Sequence, residues 1–239
     1  MVPQKPIFDP MPPNDSPVPS RTPSPAAILA RAEAFVRSRA EADSGGHDFN
    51  HVHRVRLLAL RIAPEAGADP FLTELAALLH DVADPKLNAT PEAGRRVLAE
   101  FLDGCGLSSM LRARLEMILD RVSFSSGLDG DAAPKSPELQ AVQDADRLDA
   151  IGALGIARAF AYGGERGQAM HDPALPPRTE LDRAAYRSGR STSVNHFHEK
   201  LFRLKDRMNT RAGREMAEER HRFMEAYLER FLAEWEGRA

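Results

Sequence analysis

The stretch from Pro70 to Leu79 limits what this chain can fold into more than any other. Of its ten residues only Thr73 and Glu74 are polar. Asp69 stands in the N-cap position and Pro70 in the first helical position. The expectation is therefore a helix that is apolar around most of its circumference, which has to sit at the centre of a bundle with other helices covering it. This apolar run ends in His80-Asp81. An imidazole and a carboxylate at the end of a central helix need partners, because burying either alone is costly.

The flanking sequence supplies the covering helices. From Ala26, Ile28, Leu29, Phe35 and Val36 mark one side of an Ala/Arg/Glu-rich stretch that stops before Gly45-Gly46. Val52, Val55, Leu58, Ala59 and Ile62 follow the three-and-four spacing of a second helix, expected to break between Pro64 and Gly67, and His51 lies one turn before Val55 on the same side. Thr90-Pro91-Glu92 opens a helix that Gly104 and Gly106 stop, and Ser108 or Ser109 caps another carrying Leu111, Leu115, Ile118, Leu119 and Val122. A polar loop is expected from Ser123 to Pro134. Ser136-Pro137-Glu138 starts a helix read as continuous to Tyr162-Gly163-Gly164, with Asp146 and Asp149 three apart near its packed side. Residues 163–192, rich in Gly, Pro, Arg and Ser, are a lid candidate. A helix opening at Asn195 and His196 places Phe197, Leu201, Leu204 and Met208 on one face. The last helix, from about Thr210, carries a stripe from Phe223 to Trp235 that reads as core or subunit interface, so a homo-oligomer is allowed. No stretch alternates with period two. The expected fold is all-α: one helical domain over residues 26–239 behind a tail, residues 1–25, holding nine of the chain's 18 prolines and expected to be disordered.

Composition narrows the function classes. With 42% hydrophobic and 28% charged residues and a net charge of -3, the 239-residue chain has no basic excess that calls for nucleic acid as partner. No run approaches the roughly 18 apolar residues of a membrane span, and no secretory leader pattern is present. The single Cys105 fits a reducing compartment, so a cytoplasmic location is expected.

Four side chains of metal-ligand type fall on or beside packed helix faces: His51, His80, Asp81 and Asp146. Each alone has a simpler explanation, as a satisfied core histidine or a surface carboxylate. Together they suit a divalent ion of borderline to hard character, Mn, Ni, Co, Fe or Mg, with positions left for water and substrate.

The same residues carry a family resemblance. A His, an adjacent His-Asp and a distant Asp form the pattern of the HD-domain metal-dependent phosphohydrolase superfamily, and His51, His80-Asp81 and Asp146 match it position by position. The stretches His47 to Val55, Ala77 to Lys86, Val142 to Ala150 and Asn195-His196-Phe197 resemble more narrowly a bacterial subgroup that includes nucleoside triphosphate pyrophosphohydrolases. The likeness spans about Ala26 to Gly237. It implies an HD-type enzyme acting on a small phosphate ester, a nucleotide, and splitting a (deoxy)nucleoside triphosphate into monophosphate and pyrophosphate. The alternatives are a 5'-nucleotidase-type monophosphatase and a nucleotide-sensing module without catalysis.

Phosphoryl transfer depends on positioning and charge neutralisation, so cationic groups are expected around such an ion. Arg54 and Lys86 are candidates for contact with the reacting phosphate, and Asp84 for acid, base or water-orienting work. Arg147, Asn195, His196, Lys200 and Lys205 are candidates for binding the rest of the substrate. His47, Asp48 and Asp149 are candidates for orienting the ligand imidazoles, since metal-bound histidines usually donate their other N–H to a carboxylate or carbonyl. An ion-pair role is the competing reading for Arg54 and Arg147, and core packing is preferred over base stacking for Tyr162.

Overall fold

A computed structural model describes residues 23–40, 49–84, 87–122, 135–178 and 191–239. Among these residues the chain is helical and contains no strand. The elements are α1 (Pro25–Ala40), α2 (Phe49–Ala66), α3 (Pro70–Leu79), α4 (Pro91–Asp103), α5 (Ser109–Val122), α6 (Pro137–Asp149), α7 (Gly152–Glu165), α8 (Ser193–Glu199) and α9 (Arg211–Trp235). The all-α expectation holds. The expected tail up to residue 22, the loop 123–134 and much of the lid candidate, 179–190, lie outside the described residues.

Helix α3 occupies the centre, as its composition requires. Leu72, Leu75 and Ala76 are completely buried and Leu78 and Leu79 almost so. At roughly 1.5–3 kcal/mol for each large apolar side chain, this one helix supplies a substantial share of the burial that holds the fold. α1, α2, α5 and α6 pack around it, and α2 lies along α6 over the most extensive helix–helix interface among the described residues. The helix starts follow the sequence: Asp69, Thr90, Ser136, Thr192 and Thr210 each accept a backbone N–H of their own first turn. No described helix is long and apolar enough to cross a membrane.

Three helix limits differ from expectation. Pro64 does not end α2, which continues to Ala66. A proline in the last turn removes one hydrogen bond at the helix margin, and Gly67, with φ +69°, makes the stop instead. The helix opening at Asn195 begins two residues earlier, at Ser193. It ends at Glu199, and the chain goes on in two 3-10 turns, Leu201–Arg203 and Lys205–Arg207. Leu201, Leu204 and Met208 are still buried, because the tighter turns keep them on the core side.

The third difference matters most. The long helix expected from Pro137 to Gly164 is two helices, broken at Ala150 and Ile151. Ile151 is extended (φ -126°, ψ 171°) and 1% exposed, and Gly152 takes φ +76° where a Cβ would press on the Arg220 side chain. Burying Ile151 and packing Arg220 over the turn outweigh continued helix. In a straight helix Asp149 and Arg158 would lie about 13 Å apart along the axis; the turn puts them in hydrogen-bond contact at 3.0 Å.

The stripe on α9 is partly core. Met224 and Leu228 are buried and Tyr227, Phe231 and Leu232 pack against the core, whereas Phe223 is 52% exposed and Trp235 45%. Tyr162 is 53% exposed, with the Arg166 guanidinium 4.6 Å from its ring centre, so core packing is not its role.

Two buried carboxylates hold the periphery to the bundle. Asp144, with no exposed surface, accepts the backbone N–H groups of Asn209 and Thr210 and the Thr210 hydroxyl, fixing the start of α9. Replacing Asp144 by Ala leaves these buried donors unpaired. A loss of about 3–5 kcal/mol is expected, read as a lower urea midpoint, and a loss under about 1 kcal/mol would contradict this reading. Glu199 accepts from the backbone and guanidinium of Arg178 and from the Ser191 hydroxyl. Burial pushes its carboxyl up, but these bonds outweigh burial and hold it below the ordinary 4.5. Its contribution to stability is therefore complete above about pH 4.5 and is lost as pH falls through the lowered value. In urea unfolding, Glu199→Gln should be less stable than the parent at pH 7, with the gap narrowing as the pH falls below 4.5 through the lowered value.

Candidate metal centre

Three central helices deliver the site. His51 sits in the first turn of α2 and is 2% exposed. His80 is 9% exposed and stands with Asp81 at the C-terminal end of α3. Asp146 lies in the last turn of α6. The packing of α2 against both α3 and α6 brings side chains separated by up to 95 positions in sequence into one cluster.

The His51 and His80 Nε2 atoms are 3.3 Å apart. His51 Nε2 is 3.4 Å from Asp81 Oδ2 and 3.6 Å from Asp146 Oδ1, and His80 Nε2 is 3.4 Å from Asp81 Oδ1. His51, His80 and Asp81 each offer an atom within 4.8 Å of the other two. Asp146 reaches His51 but stands outside that tight triple, with its side chain 31% exposed. Donors bound to one ion at about 2.1 Å are separated by about 3.0–3.4 Å, so the spacing suits a shared cation.

The opposite ring atoms decide what the cluster can do. His51 Nδ1 is 2.8 Å from an Asp149 oxygen and His80 Nδ1 is 2.8 Å from the Ala77 carbonyl. Carboxylates and carbonyls only accept, so both Nδ1 atoms carry the proton and donate it. When the rings are neutral, two Nε2 lone pairs and two carboxylates face each other. A divalent cation compensates such a set. Without one, His51 holds a second proton: burial pushes its pKa down, but the hydrogen bonds it donates to Asp149 and Asp81 and the charge of Asp146 carry it up to about 9. A cation would take the place of that proton.

Asp149 organises the shell behind His51. It has no exposed surface, and besides the imidazole it accepts Arg54 Nε at 2.6 Å, Arg54 Nη2 at 3.1 Å and Arg158 Nη1 at 3.0 Å. Burial alone would raise its carboxyl; the bonds to His51 and Arg54 hold it far below the carboxylate range. Arg220 packs beside the same corner, donating to the Leu148 carbonyl.

The other expected site residues divide. Arg54 is engaged with Asp149 and keeps 31% of its side chain exposed. Asp84 is half-buried in the turn after α3, its backbone N–H donating to the Asp81 carbonyl. Arg147 points elsewhere: its guanidinium donates to the Arg207 carbonyl and lies against Gln143 and Asp144, tying α6 to the 3-10 turns. The 100° turn from Asp146 explains this, and the ion-pair alternative is the one realised. Asn195 is 2% exposed and donates its amide to the Leu175 carbonyl, a structural bond. Lys205 pairs with Glu218 at 3.4 Å. His196 and Lys200 are half-buried on α8 and just after it; burial, then the charge of Lys200, lowers the His196 pKa to about 4. His47, Asp48 and Lys86 lie outside the described residues. Sequence reading did not single out Arg158 or Asp144. Arg158 has no local signal, since only the turn at Gly152 brings it back, whereas Asp144 stands within the Asp146 motif.

Asp149→Asn should keep the fold's outline and weaken metal binding about 10- to 100-fold, measured as metal retained after dialysis against a graded chelator. Unchanged retention would separate Asp149 from the ligand set.

Comparison with known proteins follows the same residues. Residues 48–151, which include all four candidate ligands and Asp149, match the HD domain model. The protein YpgQ of Bacillus subtilis, described as uncharacterized, is 42% identical over 193 residues, 80% of this chain and 85% of its own length. A Lactobacillus plantarum crystal structure is 39% identical with a TM-score of 0.76, covering 88% of this chain and 97% of that one. A Bacillus thuringiensis structure described as an HD-superfamily hydrolase is 39% identical with a TM-score of 0.72, over 89% and 99% of the two chains. The structure of Bacillus subtilis YpgQ in complex with ADP is 36% identical with a TM-score of 0.67, over 86% and 96%. The matched domain and this likeness along nearly the full length of its relatives show that the chain belongs to the HD-domain family and shares the fold of HD-superfamily hydrolases.

Proposed function

We propose that this protein is a metal-dependent phosphohydrolase that splits a nucleoside triphosphate into monophosphate and pyrophosphate. The observation that carries the hydrolase reading is the convergence of His51, His80, Asp81 and Asp146, with both imidazole lone pairs turned inward by the bonds at Nδ1. His51, His80, Asp81 and Asp146 would hold a divalent ion, Mn, Ni, Co, Fe or Mg, which when bound would supply a hydroxide nucleophile at neutral pH and Lewis acidity towards phosphoryl oxygens. The nucleotide class is supported by YpgQ having been solved with ADP, a relative whose fold and sequence this chain follows.

The chain's own residues do the positioning. Asp149 holds the His51 tautomer, and the Ala77 carbonyl holds that of His80. Arg54 shares Asp149 with His51 on a side chain that is partly exposed, and is assigned to bind a phosphate oxygen while still resting on Asp149. Asp84, following Asp81 through one turn, is assigned to orient the attacking water. His196 and Lys200 are assigned to the distal part of the substrate.

Nucleoside monophosphate hydrolysis and nucleotide sensing without catalysis are told apart from this reading by what is released. With Mn present and a panel of triphosphates, the expected product is one pyrophosphate per nucleotide consumed. With the matching monophosphates as substrate, release of nucleoside and orthophosphate, together with no turnover of triphosphates, would establish the monophosphatase type, and nucleotide binding without turnover of either would establish the sensor. His80→Ala and Asp81→Ala should each lose bound metal and at least about 100-fold in turnover; retention of both would overturn the assignment of the site.

A further inference from the structure

The Asp149 corner holds more positive groups than its ligand-orienting role needs. One oxygen, Oδ2, meets the His51 Nδ1 at 2.8 Å, Arg54 Nη2 at 3.1 Å and Arg158 Nη1 at 3.0 Å. Orienting an imidazole takes one acceptor. Arg54 binds both carboxylate oxygens, so Asp149 already has a bidentate partner before Arg158 arrives from α7. The carboxylate is fully buried, while the Arg158 side chain is 39% exposed. The guanidinium therefore rests one nitrogen on a buried anion, on a side chain that keeps more than a third of its surface open to solvent.

An arginine has five N–H donors in a rigid planar fork, and Asp149 takes one of those of Arg158. The shared oxygen also bounds its distance from His51: Arg158 Nη1 lies no more than about 6 Å from Nδ1, and no more than about 8 Å from Nε2, the ring atom that faces the other ligands. If the two ligand carboxylates balance a divalent ion, Asp149 offers one negative charge to two guanidinium groups. The positive charge left at that edge suits a polyanion with more charge than one ion neutralises.

We propose that Arg158 is a substrate-binding residue: its guanidinium, anchored on Asp149, binds the pyrophosphate portion of an oligophosphate substrate beside the metal ligands. This rests on the phosphohydrolase reading above and deepens it, since it makes the length of the phosphate chain the feature recognised. The break at Ile151-Gly152 acquires a purpose in that arrangement, because it folds α7 back so that Arg158 reaches Asp149, behind the ligand His51.

The test uses the full-length, metal-loaded protein, comparing Arg158→Gln and Arg158→Lys with the parent. Inorganic pyrophosphate, supplied as its manganese complex, is titrated calorimetrically, and KM and kcat are measured for a nucleoside triphosphate and the matching monophosphate. Arg158→Gln should weaken pyrophosphate binding about tenfold or more and raise the triphosphate KM by a similar factor, with bound metal unchanged. Arg158→Lys should recover part of both. Unaltered pyrophosphate binding in Arg158→Gln would overturn the proposal. Loss of metal in both variants would also overturn it, because Arg158 would then be a prop for Asp149. If the parent hydrolyses no triphosphate yet Arg158→Gln still loses pyrophosphate binding, the phosphate contact stands and the pyrophosphohydrolase reading is what fails.

Discussion

The buried carboxylate of Asp149 is the interaction on which the rest of the site depends. It sits at the end of α6 with no solvent contact, and it is acceptable there because an imidazole and two guanidinium groups surround it. Through His51 it sets which ring nitrogen faces the cluster. Through Arg54 it joins α6 to α2, and through Arg158 it joins α6 to α7. A single anion thus fixes the orientation of a candidate ligand and the relative placement of three helices.

Around this point the fold divides its labour. α3 is apolar because it is the centre, and its C-terminal end, where the apolar run stops, is the one place on it where His80 and Asp81 fit. α2 and α6 lie side by side, so their first and last turns bring His51 and Asp146 to that same end. The neighbours of Asp146 face the other way: Asp144 anchors the start of α9, and Arg147 grips the 3-10 turns before it. Asp146 is therefore carried on a helix held on both sides, which suits a ligand that must keep its position while part of it stays exposed.

The same arrangement explains why burial and chemistry coincide here. Charged groups in a helical core would destabilise it if left alone. Around the candidate site they are matched: Nδ1 atoms by acceptors, Asp149 by cations, Asp144 by backbone donors, and the inward-facing lone pairs and carboxylates by a spacing that suits a divalent ion. The site costs the fold little once it is complete, and a great deal if one member is removed.

Much of this was legible in the sequence. Capping residues and three-and-four spacing determine that the chain is helical and where most helices start, because those are local effects. The extreme apolarity of Pro70 to Leu79 determines which helix is central, and the His, His-Asp and Asp pattern names the four residues that the fold then brings together. The tertiary structure alone decided the rest. The split between α6 and α7 depends on burying Ile151 and on packing Arg220 over Gly152, contacts with residues far along the chain. Arg147 turned to the Arg207 carbonyl, and Arg158 to Asp149, for the same reason. A guanidinium on a long side chain goes to whichever acceptor the packing of distant helices puts in reach, and no local pattern of residues specifies that.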